Sequence, residues 1–150
     1  MSGGSAGAVT AQALGILLED DYKSELIGTD PTLATTHLEQ SSAVQAVVSH
    51  WGATYGVDTK AQLDGVARYR KGNAPMIAYV GSQDDVVPLC HDLALQAHYA
   101  ALGIPFELHV LPGQKHGCWQ AKISYAGYNI SLDASSFMFL TKTLGYQVLS

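Results

Sequence analysis

Gly3-Gly4-Ser5-Ala6-Gly7-Ala8 is a Gly-x-Ser-x-Gly sequence that runs straight into an apolar stretch extending to Leu18. A serine in this setting stands on a sharp turn from strand to helix, the nucleophile elbow. The turn is too tight for side chains on either flank and holds the serine in a strained backbone conformation. Gly3 and Gly7 meet that demand. Gly, Ala and Ser are common residues, and the same pattern occurs in flexible N-terminal leaders, so the motif takes its weight from two later signals.

The apolar run Pro75-Met76-Ile77-Ala78-Tyr79-Val80 leads into Gly81-Ser82-Gln83-Asp84-Asp85-Val86-Val87-Pro88, which puts an aspartate in the loop just after a buried strand. Phe106 to Leu111 reads as a further strand, and Pro112-Gly113-Gln114-Lys115-His116-Gly117 puts a histidine in the loop behind it. Serine, acid and histidine therefore each close a strand, in the chain order of the α/β-hydrolase triad and not of the chymotrypsin or subtilisin type. Within this set Ser5 is the expected nucleophile, His116 the base that takes its proton, and Asp84 the acid that fixes the imidazole tautomer. Asp85 is the rival acid. Asp84 is preferred because it occupies the motif position, whereas a solvated turn or helix-start charge explains Asp85.

From Gly3 to about Leu144 the chain resembles the C-terminal part of α/β-hydrolase esterases and lipases, especially feruloyl-esterase-like and lipase-like members with a Gly-Gly-Ser-Ala-Gly elbow. Its acid and histidine loops also resemble those of dienelactone hydrolases, which carry cysteine at the elbow; Ser5 argues for ester chemistry. The resemblance implies a three-layer α/β/α fold with a parallel sheet, residues 1–150 forming a partial domain from the elbow to a C-terminal helix. In that family several strands precede the elbow, whereas here only Met1 and Ser2 do. The expectation is a fragment lacking the N-terminal strands, with an exposed sheet edge that pairs with the missing half. The Ala6 N–H supplies one oxyanion donor. The second comes in this family from a loop after an early strand, so the isolated chain is expected to be feeble.

The resemblance also places residues 53–74 above the site, which makes Tyr55 and Tyr69 substrate-contact candidates beside Gly4, His50 and Trp51; an ordinary surface role is the alternative for the tyrosines. His91 and His98, seven apart on one helix, are too far separated for joint metal ligation, and Cys118 reads as a small residue beside the histidine loop. No His/Cys/Asp spacing makes a metal site, and no cofactor is expected.

Composition suits a buried sheet, with 47% apolar and 14% charged residues among 150. A formal net charge of −5 argues against nucleic acid as partner. The one basic cluster, Arg68-Tyr69-Arg70-Lys71, reads as a solvated loop or helix end. No run reaches the roughly 18 apolar residues of a membrane span, no signal peptide is read in Ala6–Leu18, and two cysteines decide nothing about compartment. Asn129-Ile130-Ser131 is a sequon by pattern alone. Strands are predicted over Ala43–His50, Met76–Val80 and Phe106–Leu111, with a stub of a fourth at Met1–Gly3. Helices are predicted over Ala6–Leu18 and about Thr59–Val66. Two more follow: one entered at Pro88 with Leu89, Leu93, Ala97 and Ala100 inward, and one from near Asp133 with Phe137, Leu140 and Leu144 inward. Tyr22–Ser42 reads as an exposed connection.

Three functions stay open at this level: a serine hydrolase cleaving small-molecule carboxylic esters through an acyl-enzyme; a non-catalytic or partner-dependent half domain; and a serine peptidase of the prolyl-oligopeptidase type. The last is set behind the others because its elbow usually has an aromatic residue after the serine, where this chain has Ala6.

Overall fold

The protein is described by a computed structural model covering residues 1–17, 28–35 and 37–146. Four parallel strands, β1 (Ser2–Gly4), β2 (Val47–His50), β3 (Met76–Gly81) and β4 (Phe106–Leu111), lie in the order β1-β2-β3-β4. Between them come α1 (Ala6–Ile16), α2 (Tyr55–Asp64) and α3 (Cys90–Leu102); a hairpin of β5 (Lys122–Tyr125) and β6 (Tyr128–Ser131) leads into α4 (Leu132–Leu144).

Every residue of β2 and β3 is buried, as an inner strand covered on both faces requires. The period of two divides their side chains between two cores. Val47 and Met76 face Ala11 and Ile16 of α1, Val57 of α2 and Leu95 and Tyr99 of α3. Val48, Ile77 and Tyr79 face Ile123 of β5 and Leu132 and Phe139 of α4. The result is the expected three-layer α/β/α arrangement.

Several expectations need correction. Strand β2 starts at Val47, not Ala43, because Val47 is where the chain first meets β3, opposite Met76. Helix α2, Tyr55–Asp64, starts four residues earlier and ends two residues earlier than read, capped by Gly65 in the left-handed region at φ 70. In α3 the buried side is Asp92, Leu95 and Tyr99, while Leu93 and Ala97 are exposed. The predicted face ran through small alanines; burial instead follows the i, i+3, i+7 row that carries the bulk of Leu95 and Tyr99. In α4 the inward residues are Leu132, Ser135, Ser136 and Phe139, with Leu140 partly buried against the same core as expected, and Phe137 and Leu144 61% and 39% exposed. Of the two buried serines, Ser136 is satisfied locally: its Oγ donates to Leu132 O at 2.8 Å and lies 3.0 Å from the Tyr79 hydroxyl. Arg68 is not solvated but 4% exposed, paired with Asp64 at 2.7 Å.

The β5–β6 hairpin was not anticipated. Its two-residue turn, Ala126-Gly127, has both φ values positive at 49 and 84, the geometry that matches strand twist; alanine at the first position hides the usual Asn-Gly signature. The predicted helix end at Leu18, the charges Glu19-Asp20-Asp21 and the start of the connection lie outside the described residues. The described remainder of that connection holds a short 3-10 turn, Pro31–Thr35, with no buried residue. Among the described residues no helix is long and apolar enough to cross a membrane.

Candidate active site

Parallel strands deliver their following loops to one end of the sheet, where sites form in this architecture. Ser5 directly follows β1, and its N–H continues the ladder by donating to His50 O at 2.9 Å. Its φ of 53 and ψ of −121 are those of the strained turn expected from the sequence. Ser5 is also the N-terminal cap of α1, so the positive end of the helix dipole points at it. The first intrahelical bond is Ala8 N–H to Ser5 O at 2.9 Å, which leaves the Ala6 and Gly7 N–H groups ahead of it without an intrahelical acceptor.

The two glycines of the motif are not equivalent. A Cβ on Gly3 would lie 2.2 Å from the Gly7 carbonyl oxygen, whereas a Cβ on Gly7 would meet nothing within 4 Å. The close approach is of β1 to the backbone of α1, so the steric demand falls on Gly3 alone of the pair. Gly4 has a separate reason to be bare: a Cβ there would sit 2.5 Å from the indole of Trp119.

The loops after β3 and β4 are tied to each other before they present a side chain. Gln83 N–H donates to Gln114 O at 2.9 Å, and Gly113 N–H to Ser82 Oγ at 2.8 Å. A Cβ on Gly81 would lie 2.3 Å from Gln114 O, so the contact also needs that glycine. Within this clamp Asp84 Oδ1 accepts from the N–H groups of Val86 and Val87 at 3.0 and 2.8 Å, and Oδ2 faces His116 Nδ1 at 2.9 Å. The other ring nitrogen, His116 Nε2, lies 2.9 Å from Ser5 Oγ.

One hydrogen-bonded chain thus joins Ser5, His116 and Asp84. The Asp84 side chain is fully buried and that of His116 is 20% exposed. Burial by itself would push the Asp84 carboxyl up. The bonds from Val87 N–H, His116 and Val86 N–H outweigh that and hold it below the usual carboxylate range. An ionised carboxylate can only accept, so the His116 proton sits on Nδ1 and Nε2 is left to accept from the serine hydroxyl. Such an arrangement can raise the nucleophilicity of a hydroxyl. Asp85 is exposed.

The remaining candidates are distributed unevenly. His50 and Trp51 are 3% and 1% exposed, with their rings edge-on to each other at 5.5 Å. The Trp51 ring stands edge-on to His116 at 6.3 Å, and its backbone has φ 48. Burial holds the His50 imidazole below its ordinary range, against a weaker opposite pull from Asp133. Tyr55 stands on α2 with its ring against His91 of α3 at 4.5 Å. Tyr69 is engaged elsewhere, its hydroxyl donating to Asp58 at 2.5 Å and its ring stacked on His98 at 4.0 Å. Cys90 and Cys118 are free thiols, and burial raises the pKa of Cys118. Trp119 was missed by the sequence reading, although an aromatic residue three positions after His116 within the same loop was a usable signal.

Comparison with known proteins agrees with this fold. An esterase of the planctomycete Thermogutta terrifontis, Est2, superposes with a TM-score of 0.61 at 19% identity, over 98% of this chain and 55% of that one. The same enzyme phosphorylated by paraoxon gives 0.63 at 22% identity, over 99% and 55%. A truncated carbohydrate esterase from gut microbiota gives 0.62 at 18% identity, over 95% and 59%. The chain thus spans between 55% and 59% of the lengths of these structures. At such identities the likeness is one of fold. No curated protein matches the chain significantly. A family model does: that of the prolyl oligopeptidase family, over residues 1–147. The match gives new weight to the relationship the sequence reading set third, although a family name does not choose between ester and peptide substrates. The chain belongs to the prolyl oligopeptidase family, with an α/β-hydrolase fold.

Proposed function

We propose that the protein is a serine hydrolase that cleaves carboxylic esters through an acyl-enzyme on Ser5. The observation that carries the proposal is the continuous chain from Ser5 Oγ through His116 to Asp84, with both links at 2.9 Å. In the first step His116 Nε2 takes the hydroxyl proton as Ser5 Oγ attacks the ester carbonyl. Asp84 stabilises the imidazolium so formed without taking its proton. The Ala6 N–H, at the start of α1, donates to the oxyanion, and the helix dipole acts in the same sense. The tetrahedral intermediate then expels the alcohol, which receives the proton from His116. Water, activated by the same imidazole, releases the acid.

Ester rather than peptide cleavage is supported by the solved structures of this fold that are named as esterases, among them one phosphorylated by paraoxon. A serine peptidase is the second reading, favoured by the family match. Pairing of the chain with a further segment that supplies another oxyanion donor belongs to the same proposal, since removing one donor typically costs about 100- to 1,000-fold in turnover. Labelling with a fluorophosphonate probe, read by peptide mass spectrometry, tests the nucleophile without requiring full turnover. The adduct is expected on Ser5 and absent from Ser5→Ala. Labelling elsewhere, or none, overturns the proposal. Hydrolysis of 4-nitrophenyl acetate against that of a peptide 4-nitroanilide then separates the two substrate classes.

A further inference from the structure

Gly4, His50, Tyr79 and His109 occupy one register level across β1, β2, β3 and β4. Their rings stack from strand to strand: His50 on Tyr79 at 5.0 Å and Tyr79 on His109 at 5.3 Å, both at an interplanar angle of 16°. Gly4 contributes no ring to this row. The gap is filled from outside the sheet, by Trp119 of the loop that carries His116. Its indole lies 4.7 Å from His50 and 4.7 Å, edge-on, from Trp51. It covers the place where a side chain on residue 4 would begin.

Trp119 is nevertheless 52% exposed. Exposure alone means little, since Tyr128 and Tyr146 are more exposed still. Trp119 differs in being held by two neighbouring rings and by the backbone of the residue immediately before Ser5. A flat apolar surface, fixed in orientation and open on one side beside the nucleophile, is what a planar group of a substrate packs on at small entropic cost.

We infer that the indole of Trp119 is a wall of the substrate cleft and selects esters bearing an aromatic group over their small alkyl counterparts. This rests on the ester reading above, whose substrate class it narrows.

Two ester pairs test it: phenyl against ethyl acetate for the alcohol side, and methyl benzoate against methyl acetate for the acyl side. The aryl-to-alkyl ratio of kcat/KM in at least one pair is expected to fall about tenfold in Trp119→Ala and to stay within about threefold in Trp119→Phe. Using ratios cancels any general loss from a loosened loop, and the Phe variant keeps a ring in place. Unchanged ratios in both pairs, with hydrolysis still abolished by Ser5→Ala, overturn the inference and leave the ester reading standing. Where no ester is hydrolysed, the ester reading is what fails, and binding decides the inference. 4-Nitrophenyl acetate titrated into Ser5→Ala is expected to quench tryptophan emission saturably, and the additional Trp119→Phe change to remove most of that quenching. Equal quenching with and without Trp119 overturns the inference.

Discussion

Asp84 and Asp85 differ in what surrounds them and not in what they are. Asp84 Oδ1 closes a turn with the N–H groups of Val86 and Val87, which aims Oδ2 at His116, while Asp85 is left exposed. Asparagine at 84 keeps the size but replaces an acceptor with an N–H₂ donor, which favours the imidazole tautomer with its proton on Nε2 and removes the base from Ser5. Asp84→Asn is therefore expected to lower kcat/KM about 10³- to 10⁴-fold. Asp85→Asn is expected to stay within about threefold, because an exposed charge makes a weak, screened contribution. Steady-state kinetics on the two variants checks this, and equal losses would move the acid's role away from Asp84. What was legible in the sequence is which of the two adjacent acids lies against His116, since the spacing around Gly81 and Pro88 singles out Asp84; its role is what the kinetics decide. Trp119 was not legible in the same way. Its place in the loop of His116 marks it as near the site, but its lying over Gly4 is a contact across more than a hundred residues that this local signal does not give.

The elements themselves were legible where burial imposes a simple pattern. Met76–Gly81 is an unbroken apolar run because both of its faces are covered, and Phe106–Leu111 is bounded by Pro105 and Pro112. Helix faces were harder. In α3 and α4 the buried rows mix polar with apolar residues, Asp92 with Leu95 and Ser135 with Phe139, so counting apolar positions selects the wrong side in α3 and finds only Leu140 of the expected three in α4. The elbow glycines show the limit in another form, because two residues of the same type in one motif have different environments. Gly3→Ala must displace backbone, with its Cβ 2.2 Å from Gly7 O. It is expected to destabilise the fold by roughly 2 kcal/mol or more, through strain of the overpacking kind. Gly7→Ala adds a methyl in open space within α1 and is expected to be neutral or to stabilise by up to about 1 kcal/mol, since alanine is the better helix former. Urea unfolding of the two variants tests the pair; a loss in Gly7→Ala equal to that in Gly3→Ala would show that the motif constrains both positions.

At the scale of the whole molecule, the layer under the site is fastened by a polar knot. Gln12 of α1 donates through Nε2 to Ser49 Oγ of β2 at 2.9 Å and to Asp92 Oδ1 of α3 at 3.2 Å. All three residues are essentially inaccessible. Two acceptors in the knot, Gln12 Oε1 and Asp92 Oδ2, are buried without a hydrogen-bond donor. A proton on Oδ2 neutralises the carboxyl and so lowers the cost of burying it. Burial, with a smaller push from the Asp84 charge and against the pull of the Gln12 bond, raises the Asp92 pKa to about 7. Its unfolded value is about 3.9. The folded state therefore holds a proton that the unfolded chain has released, and stability is lost as pH rises between these values. The contribution is complete below about pH 4 and gone above about pH 7, and its full size is of order 4 kcal/mol. Asp84 acts in the opposite sense. Its lowered pKa gives stability that is present above its unfolded value and lost as pH falls through the folded one. Asp92→Asn separates the two effects, because the amide keeps an acceptor for Gln12 and cannot ionise. Its melting temperature is expected to lie close to that of the parent chain at pH 4 and about 8–16 °C above it at pH 8. Thermal unfolding followed by circular dichroism at both pH values measures the difference. The same offset at pH 4 and pH 8 would mean that Asp92 enters the knot through its shape and not through its proton.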